Sequence, residues 1–177
     1  MRKPKNQVIV GLGLLILTGF WVFRVFNFPH PAVSAPALWS PTQAQPKLLT
    51  VKVWLGSQEL VAEVARQPRE VMTGMMFRTS MASNEAMLFL LRGPQQASFY
   101  MRNTLIPLSC AYIDGGGIIR EIHDMKPKDE TSITSASDDI EFVLEVPQGW
   151  FQKNNTSPET LVRTEKGTLR GLVQKAH

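Results

Sequence analysis

From Leu48 onward, apolar and polar residues alternate over short runs bounded by turn formers. That period of two is the pattern of half-buried β-strands. Residues 48–55 and 59–65 flank Gly56-Ser57-Gln58 and predict a hairpin, and residues 87–91, 97–101 and 110–114 predict further strands. Gly115-Gly116-Gly117 can supply positive φ angles for a tight turn into residues 118–123, a second hairpin. In residues 140–146, Ile140, Phe142, Leu144 and Val146 share one face, and Glu141, Val143 and Glu145 share the other. One face of that strand is therefore expected to be buried and the other partly wet. Two short helices are predicted: residues 68–75, with Pro68 at a permitted first-turn position, and a turn over residues 150–153 after Pro147. No internal repeat is present. The expected fold is mainly β, a compact antiparallel β-sandwich or open barrel with one or two short helices.

A different pattern precedes this region. Residues 1–7 are polar and basic, and residues 8–23 are uncharged, with 12 of the 16 large and apolar. As a helix the run spans roughly 24 Å, short of the ~30 Å hydrocarbon core. Extension through Val25, Phe26 and Phe28 reaches about 31 Å, with Arg24 placed to snorkel at the far interface. The basic flank orients such a membrane helix with its N-terminus cytoplasmic and all that follows outside. A cleaved signal is the alternative, because Val33-Ser34-Ala35 and Ala35-Pro36-Ala37 resemble small-residue cleavage sites. Five prolines among Ala, Ser, Gln and Thr make residues 29–46 an extended tether. The expected organisation is a signal anchor or signal peptide (1–28), a proline-rich tether (29–46) and a globular β-rich domain (47–177). That domain is expected to be extracytoplasmic and membrane-anchored, or secreted or periplasmic after cleavage.

Charge sharpens this division. The 177 residues carry 19 Lys plus Arg against 15 Asp plus Glu, but Arg2, Lys3, Lys5 and Arg24 all precede the first acid, Glu59. Residues 25–177 are thus formally neutral, with 15 charges of each sign. A nucleic-acid-binding domain would carry a basic surface on its folded part, so that partner class is not expected. The only cysteine, Cys110, excludes an internal disulfide framework and any multi-Cys zinc site. No cofactor or metal is expected.

Three blocks carry a family resemblance: Arg66-Gln67-Pro68 through Gly74-Met75-Met76-Phe77-Arg78; Met87-Leu88-Phe89 with Phe99 through Leu108; and Val143-Leu144-Glu145-Val146-Pro147 with Gly149-Trp150. Over residues 50–172 the chain resembles the domain of unknown function 192 family, also called uncharacterised protein family 0127. The resemblance implies a small, often exported protein with a compact β-rich fold and supplies no activity. The chain departs from the family pattern at Arg102, Met75 and Ser109, where Lys, Leu and Asp are usual, and lacks an Arg usual near Val71.

The candidate ligand-binding residues are Arg78, Arg102, Asn103 and Thr104. Two guanidinium groups beside neutral hydrogen-bonding groups suit a small anion. The competing account pairs each arginine with a structural carboxylate such as Glu145 or Asp114 and makes Asn103-Thr104 a turn. His123, with Asp124 and the pair Asp138-Asp139, offers a general base or a metal ligand, but the two-histidine spacing of zinc hydrolases is absent. A Cys110–His123 dyad is conceivable, yet Cys110 lies in an apolar strand where cysteine behaves as a small buried hydrophobe. Met72, Met75, Met76, Met81, Met87 and Met101 fall within 30 residues and suit either copper(I) or irregular core gaps. The glycine triplet lacks the Gly-Lys-Ser/Thr ending of a phosphate loop. The leading expectation is a non-catalytic binding or accessory module of the cell envelope that recognises a small, in its sharper form anionic, ligand or an envelope component. The alternatives are a hydrolase or metal-assisted enzyme using His123 and carboxylates, and a structural or assembly partner.

Overall fold

The computed structural model describes residues 40–173. The first hairpin forms as its sequence requires. Gly56 takes a φ of 61°, and β1 (Thr50–Leu55) returns as β2 (Gln58–Ala65) in antiparallel register from Leu55–Gln58 to Thr50–Glu63. The chain then leaves the sheet through α1 (Pro68–Thr73). Pro68 presets the first turn, and Glu70 Oε2 accepts the amides of Arg66 and Gln67 at 2.9 and 2.8 Å, satisfying donors at the helix entrance. After this crossover β3 (Glu85–Gln95) returns parallel to β2, the one parallel pair in a sheet expected to be antiparallel throughout. A crossover of 19 residues is long enough to permit it.

The remaining strands are β4 (Ser98–Phe99), β5 (Leu108–Asp114), β6 (Ile119–Met125), β7 (Ile133–Thr134), β8 (Ile140–Pro147), β9 (Val162–Thr164) and β10 (Gly167–Thr168). Two further short helices, α2 (Trp150–Lys153) and α3 (Arg170–Val173), complete the described residues. Eight strands form one sheet in the order β10-β9-β1-β2-β3-β8-β5-β6, and β4 pairs with β7 in a separate ribbon. The large sheet is open. Its two ends nevertheless approach where Ile118 bridges to Leu161 and the amides of Ile119 and Val162 bond to the carbonyls of Thr160 and Gly117. The turn between β5 and β6 is the glycine triplet, with Asp114 Oδ1 accepting the amides of Gly116 and Ile118 and Oδ2 pairing with Arg120.

A core lies on each face of the sheet. One face gathers Val53, Leu60, Leu88, Ile113, Phe142 and Leu144 with Trp150 and Phe151 of α2. The other gathers Met87, Phe89, Cys110, Tyr112 and Val143, and against it pack Val71 of α1 and Phe99 and Ile133 of the β4–β7 ribbon. This second layer changes the character of β8. The face expected to be partly wet is covered, so Val143 and Glu145 are buried and Glu141 reaches out to Arg170 at 2.7 Å. β7, β9, β10 and α3 were not predicted, since runs of two to four polar-rich residues carry no readable period.

The expected membrane helix and most of the tether lie outside the described residues; among those described, no helix is long and apolar enough to cross a membrane. The end of the proline-rich stretch is fastened to the domain. Gln45 Nε2 donates to the carbonyls of Glu70 and Gly74 at 3.1 and 2.9 Å, at the C-terminal end of α1.

Arg78 braces the crossover against β2: its two Nη groups donate to the two Glu63 oxygens at 3.1 and 2.9 Å, with both side chains largely out of solvent. Removing one partner strands the other charge, so Arg78→Ala is expected to lower stability by about 3 kcal/mol. The double variant Glu63→Leu/Arg78→Met should recover most of that loss. Urea denaturation of the three proteins checks this.

Candidate functional site

One rung of the sheet concentrates its chemistry. Register partners run Glu63 on β2, Met87 on β3, Glu145 on β8, Cys110 on β5 and His123 on β6. Side chains of registered partners stand on the same face, here the face carrying the second core. Glu63 is consumed by Arg78 at one end. At the other, His123 Nε2 lies 3.0 Å from Glu121 Oε2 and its ring stands edge-on to Tyr112. Between them the Cys110 thiol is buried, and burial, with the neighbouring Glu145, pushes it up to about 12. It is not a thiolate at neutral pH.

Glu145 stands apart. It is enclosed by protein, its Oε2 has no hydrogen-bond partner, and burial alone pushes its carboxyl up from 4.5 to about 8. An unpartnered buried polar atom is costly and rare in native proteins, so it calls for a physical reason. Glu145 lies on the wall of a cavity of about 210 Å³. α1 and the turn after it form one side, through Val71, Thr73 and Met75. Phe89 of β3 lies on the sheet side, and Phe99 of β4, Tyr100 and Thr104 close the rest. Phe89 and Phe99 meet edge to face at 5.0 Å.

Local chain geometry makes this closure feasible. Gly74 ends α1 at a φ of +47°, and a Cβ there would come within 3.3 Å of the Phe89 ring, so only glycine lets the helix end settle on that wall without displacing it. Asn103 takes a φ of 56°, and its carbonyl accepts the Phe77 amide at 2.8 Å. That bond ties the turn carrying Thr104 to the segment after α1.

The four residues singled out in the sequence do not converge on one cavity. Arg78 is engaged by Glu63, with its Nε buried and unpartnered. Arg102 is exposed, Asn103 is a backbone hinge, and Thr104 alone reaches the Glu145 cavity. Asp124, Asp138 and Asp139 are exposed, and among the described residues no three His, Cys, Asp or Glu side chains cluster as a metal site. Met72, Met75 and Met76 line the cavity, while Met87 and Met101 fill the second core. Ser109 lies on the opposite sheet face from Cys110, donating to Asp124 and accepting the Gly149 amide at 2.9 Å. The position where an acid is usual is therefore remote from this cavity. Glu145 was missed because alternation assigned it to a wet face, although three apolar neighbours in Val143-Leu144-Glu145-Val146 signal a strand buried on both sides.

A larger groove of about 370 Å³ runs between the start of β1 and α3, lined by Leu49, Val64 and Leu172 among others. Its charged groups, Arg66, Glu70 and Lys166, lie at the surface or cap a helix. None is an unpartnered buried group.

The fold and cavity define a small, self-contained β-domain with one sheet face covered by a short helix and ribbon. The family model described as uncharacterised ACR, domain of unknown function 192, matches residues 51–164, and the chain belongs to this family. Among similar solved structures, a candidate transcription regulator from Sinorhizobium meliloti 1021 is 28% identical with a TM-score of 0.65, over 68% of this chain and 98% of the other. A protein of unknown function from Novosphingobium aromaticivorans DSM 12444 is 32% identical with a TM-score of 0.60, over 74% of this chain and 94% of the other. No curated protein matches the chain. The matched region is nearly the whole of both solved chains, and here Trp39–His177 forms one compact unit by itself.

The raised Glu145 carboxyl has a consequence for stability. Between 4.5 and about 8 the native state holds a proton that the unfolded chain releases, so stability falls as pH rises through that window. The slope should approach 1.4 kcal/mol per pH unit. Glu145→Gln should remove that slope and be the more stable protein at pH 9. Urea denaturation of residues 40–177 from pH 5 to 9 checks both outcomes.

Proposed function

We propose that this domain is a small-molecule-binding module whose ligand occupies the cavity between α1, β4 and the sheet and bonds to Glu145. The observation that carries the proposal is the unpartnered, buried carboxyl on a cavity wall. A bound hydrogen-bonding group would supply the missing partner, and Phe89, Phe99 and Met75 would take its apolar part. Binding fits better than catalysis. Glu145 has the proton affinity of a general base, but no Lys, Arg or His lines the cavity beside it. That leaves no cationic side chain on the wall to meet a developing negative charge.

The basic and apolar pattern of residues 1–28 supports placement of the module outside the cytoplasmic membrane, anchored there or released by cleavage. The transcription-regulator description of the Sinorhizobium protein is not extended to this chain, because residues 25–177 carry balanced charge and offer no basic surface by composition. An envelope ligand reaching the domain from solvent suits both points.

The test is residue-resolved. Residues 40–177 are titrated with 1-butanol, butyramide and n-butylammonium while the NMR signals of Thr73, Gly74, Thr104 and Glu145 are followed. At least one probe should give saturable shifts there, with a dissociation constant of about 1–10 mM, reasonable for so few atoms. Val71→Phe, which fills the cavity from α1, should abolish them. If all three probes leave these signals unmoved, the cavity is not a binding site.

A further inference from the structure

We infer that the ligand of this cavity is a small primary ammonium with a short apolar body, held by Glu145, Thr73 and Thr104. The inference rests on the binding reading above and adds the chemical class. Its basis is a donor and acceptor inventory of the lining. Thr73 Oγ1 donates its proton to the Arg69 carbonyl at 2.7 Å. Thr104 Oγ1 lies 3.5 Å from the Arg102 carbonyl, too long to hold its proton there. The Thr73 hydroxyl then offers only lone pairs to the cavity, and the Thr104 hydroxyl is free to turn its own there. Glu145 is the only ionisable side chain on the wall besides Tyr100, and no Lys, Arg or His contributes to it.

Among its charged groups the lining therefore holds an acid and no base, while Ser98 and Tyr100 add hydroxyls that can donate or accept. A carboxylate or phosphate placed there would find no cation, and its own charge would be buried unpaired. An alcohol brings one donor and leaves the other acceptors unmet. A primary ammonium brings three N–H donors for three oxygen acceptors, with a charge opposite to that of the ionised carboxyl. Phe89 and Phe99 add aromatic rings to the wall, and an aromatic face attracts cations. Val71 and Met75 leave an apolar side for a short alkyl or aryl body. A quaternary ammonium would satisfy the rings but has no N–H for Glu145.

Protonation gives an independent signature. The titratable groups that share the face of Glu145 on the elements packed against it are Cys110, Tyr112 and Asp114 on β5 and Glu85 on β3, with Tyr100 beside β4 and Arg69 and Glu70 on α1. Tyr112 donates to the Ile133 carbonyl, Asp114 pairs with Arg120 and Glu85 with Lys47. Glu70 is spent on the amides of Arg66 and Gln67, and Arg69 also has a partner. Cys110 holds its proton to about 12, so Glu145 is the group that changes charge near neutrality. Below about 8 the empty carboxyl is protonated, and an ammonium must displace that proton to form its ion pair.

The experiment is calorimetric titration of residues 40–177 with n-butylammonium, 1-butanol, butyrate and tetramethylammonium from pH 6 to 9. n-Butylammonium should bind at least tenfold more tightly than the other three at pH 8. Its affinity should rise about tenfold per pH unit up to about 8 and then level off, because one proton is released per ligand bound below that value. Two buffers of different ionisation enthalpy read that proton directly. Glu145→Gln should lose at least tenfold in n-butylammonium affinity and all of the pH dependence while retaining 1-butanol, and Thr104→Val should lose about fivefold. Equal or tighter binding of 1-butanol, butyrate or tetramethylammonium, or an unchanged n-butylammonium affinity in Glu145→Gln, overturns the ammonium assignment and leaves the cavity reading standing. Failure of every probe to bind overturns both.

Discussion

The burial of β8 on both faces is the constraint on which the rest of this domain depends. A central antiparallel strand with one wet face would carry Glu145 into solvent, where a glutamate costs nothing. The second layer of α1 and the β4–β7 ribbon covers that face, and the same covering creates the second core, the cavity and the shifted carboxyl together. Desolvation of a carboxylate is expensive without a compensating charge or hydrogen bond. Arg78 could have offered one. It instead pairs with Glu63 two strands away along the same rung, leaving Glu145 the unmatched acid.

That division of labour separates structural from functional electrostatics. Glu63–Arg78 and Glu141–Arg170 bind the crossover and α3 to the sheet, and Asp114–Arg120 closes the β5–β6 hairpin. Their carboxylates are matched by guanidinium groups that lie in the domain permanently. Glu145 has neither cation nor donor, and a group that stays unmatched in a well-packed core is the kind found where something else is to bind. Cys110 beside it shows the contrast: a thiol tolerates the same burial cheaply by keeping its proton.

Much of the fold was legible in the sequence, and the reasons are local. The two hairpins, β8, α1 and α2 follow from alternation, Gly56, the glycine triplet and Pro68, all of which act within a few residues. The parallel β2–β3 pair was not legible, because strand direction depends on where a crossover returns. The site was less legible than the fold. Arg78 and Arg102 drew attention as charges next to aromatic runs, yet nothing local tells an arginine spent on Glu63 from one free to bind. Thr104 reached the cavity, but its neighbours in sequence point elsewhere because the turn at Asn103 reverses their directions. Glu145 needed knowledge of a second layer that is assembled from segments between 11 and 77 residues before it in sequence.

The wall that closes the cavity is also the element least able to hold itself. A six-residue helix is far below the length at which isolated helices persist in water, so α1 owes its position to bonds from outside it. Three such restraints are visible: Glu70 turned back onto the entering amides, the close seat of Gly74 on Phe89, and Gln45 reaching in from the proline-rich segment to two carbonyls at the far end. Val71, Thr73 and Met75 lie between these restraints, so they fix how far the cavity wall stands from Glu145. The last restraint comes from residues that look like linker by composition. Its side-chain amide donates to the open Gly74 carbonyl and shares the Glu70 carbonyl with the Gly74 amide, so part of the tether is a structural component of the site.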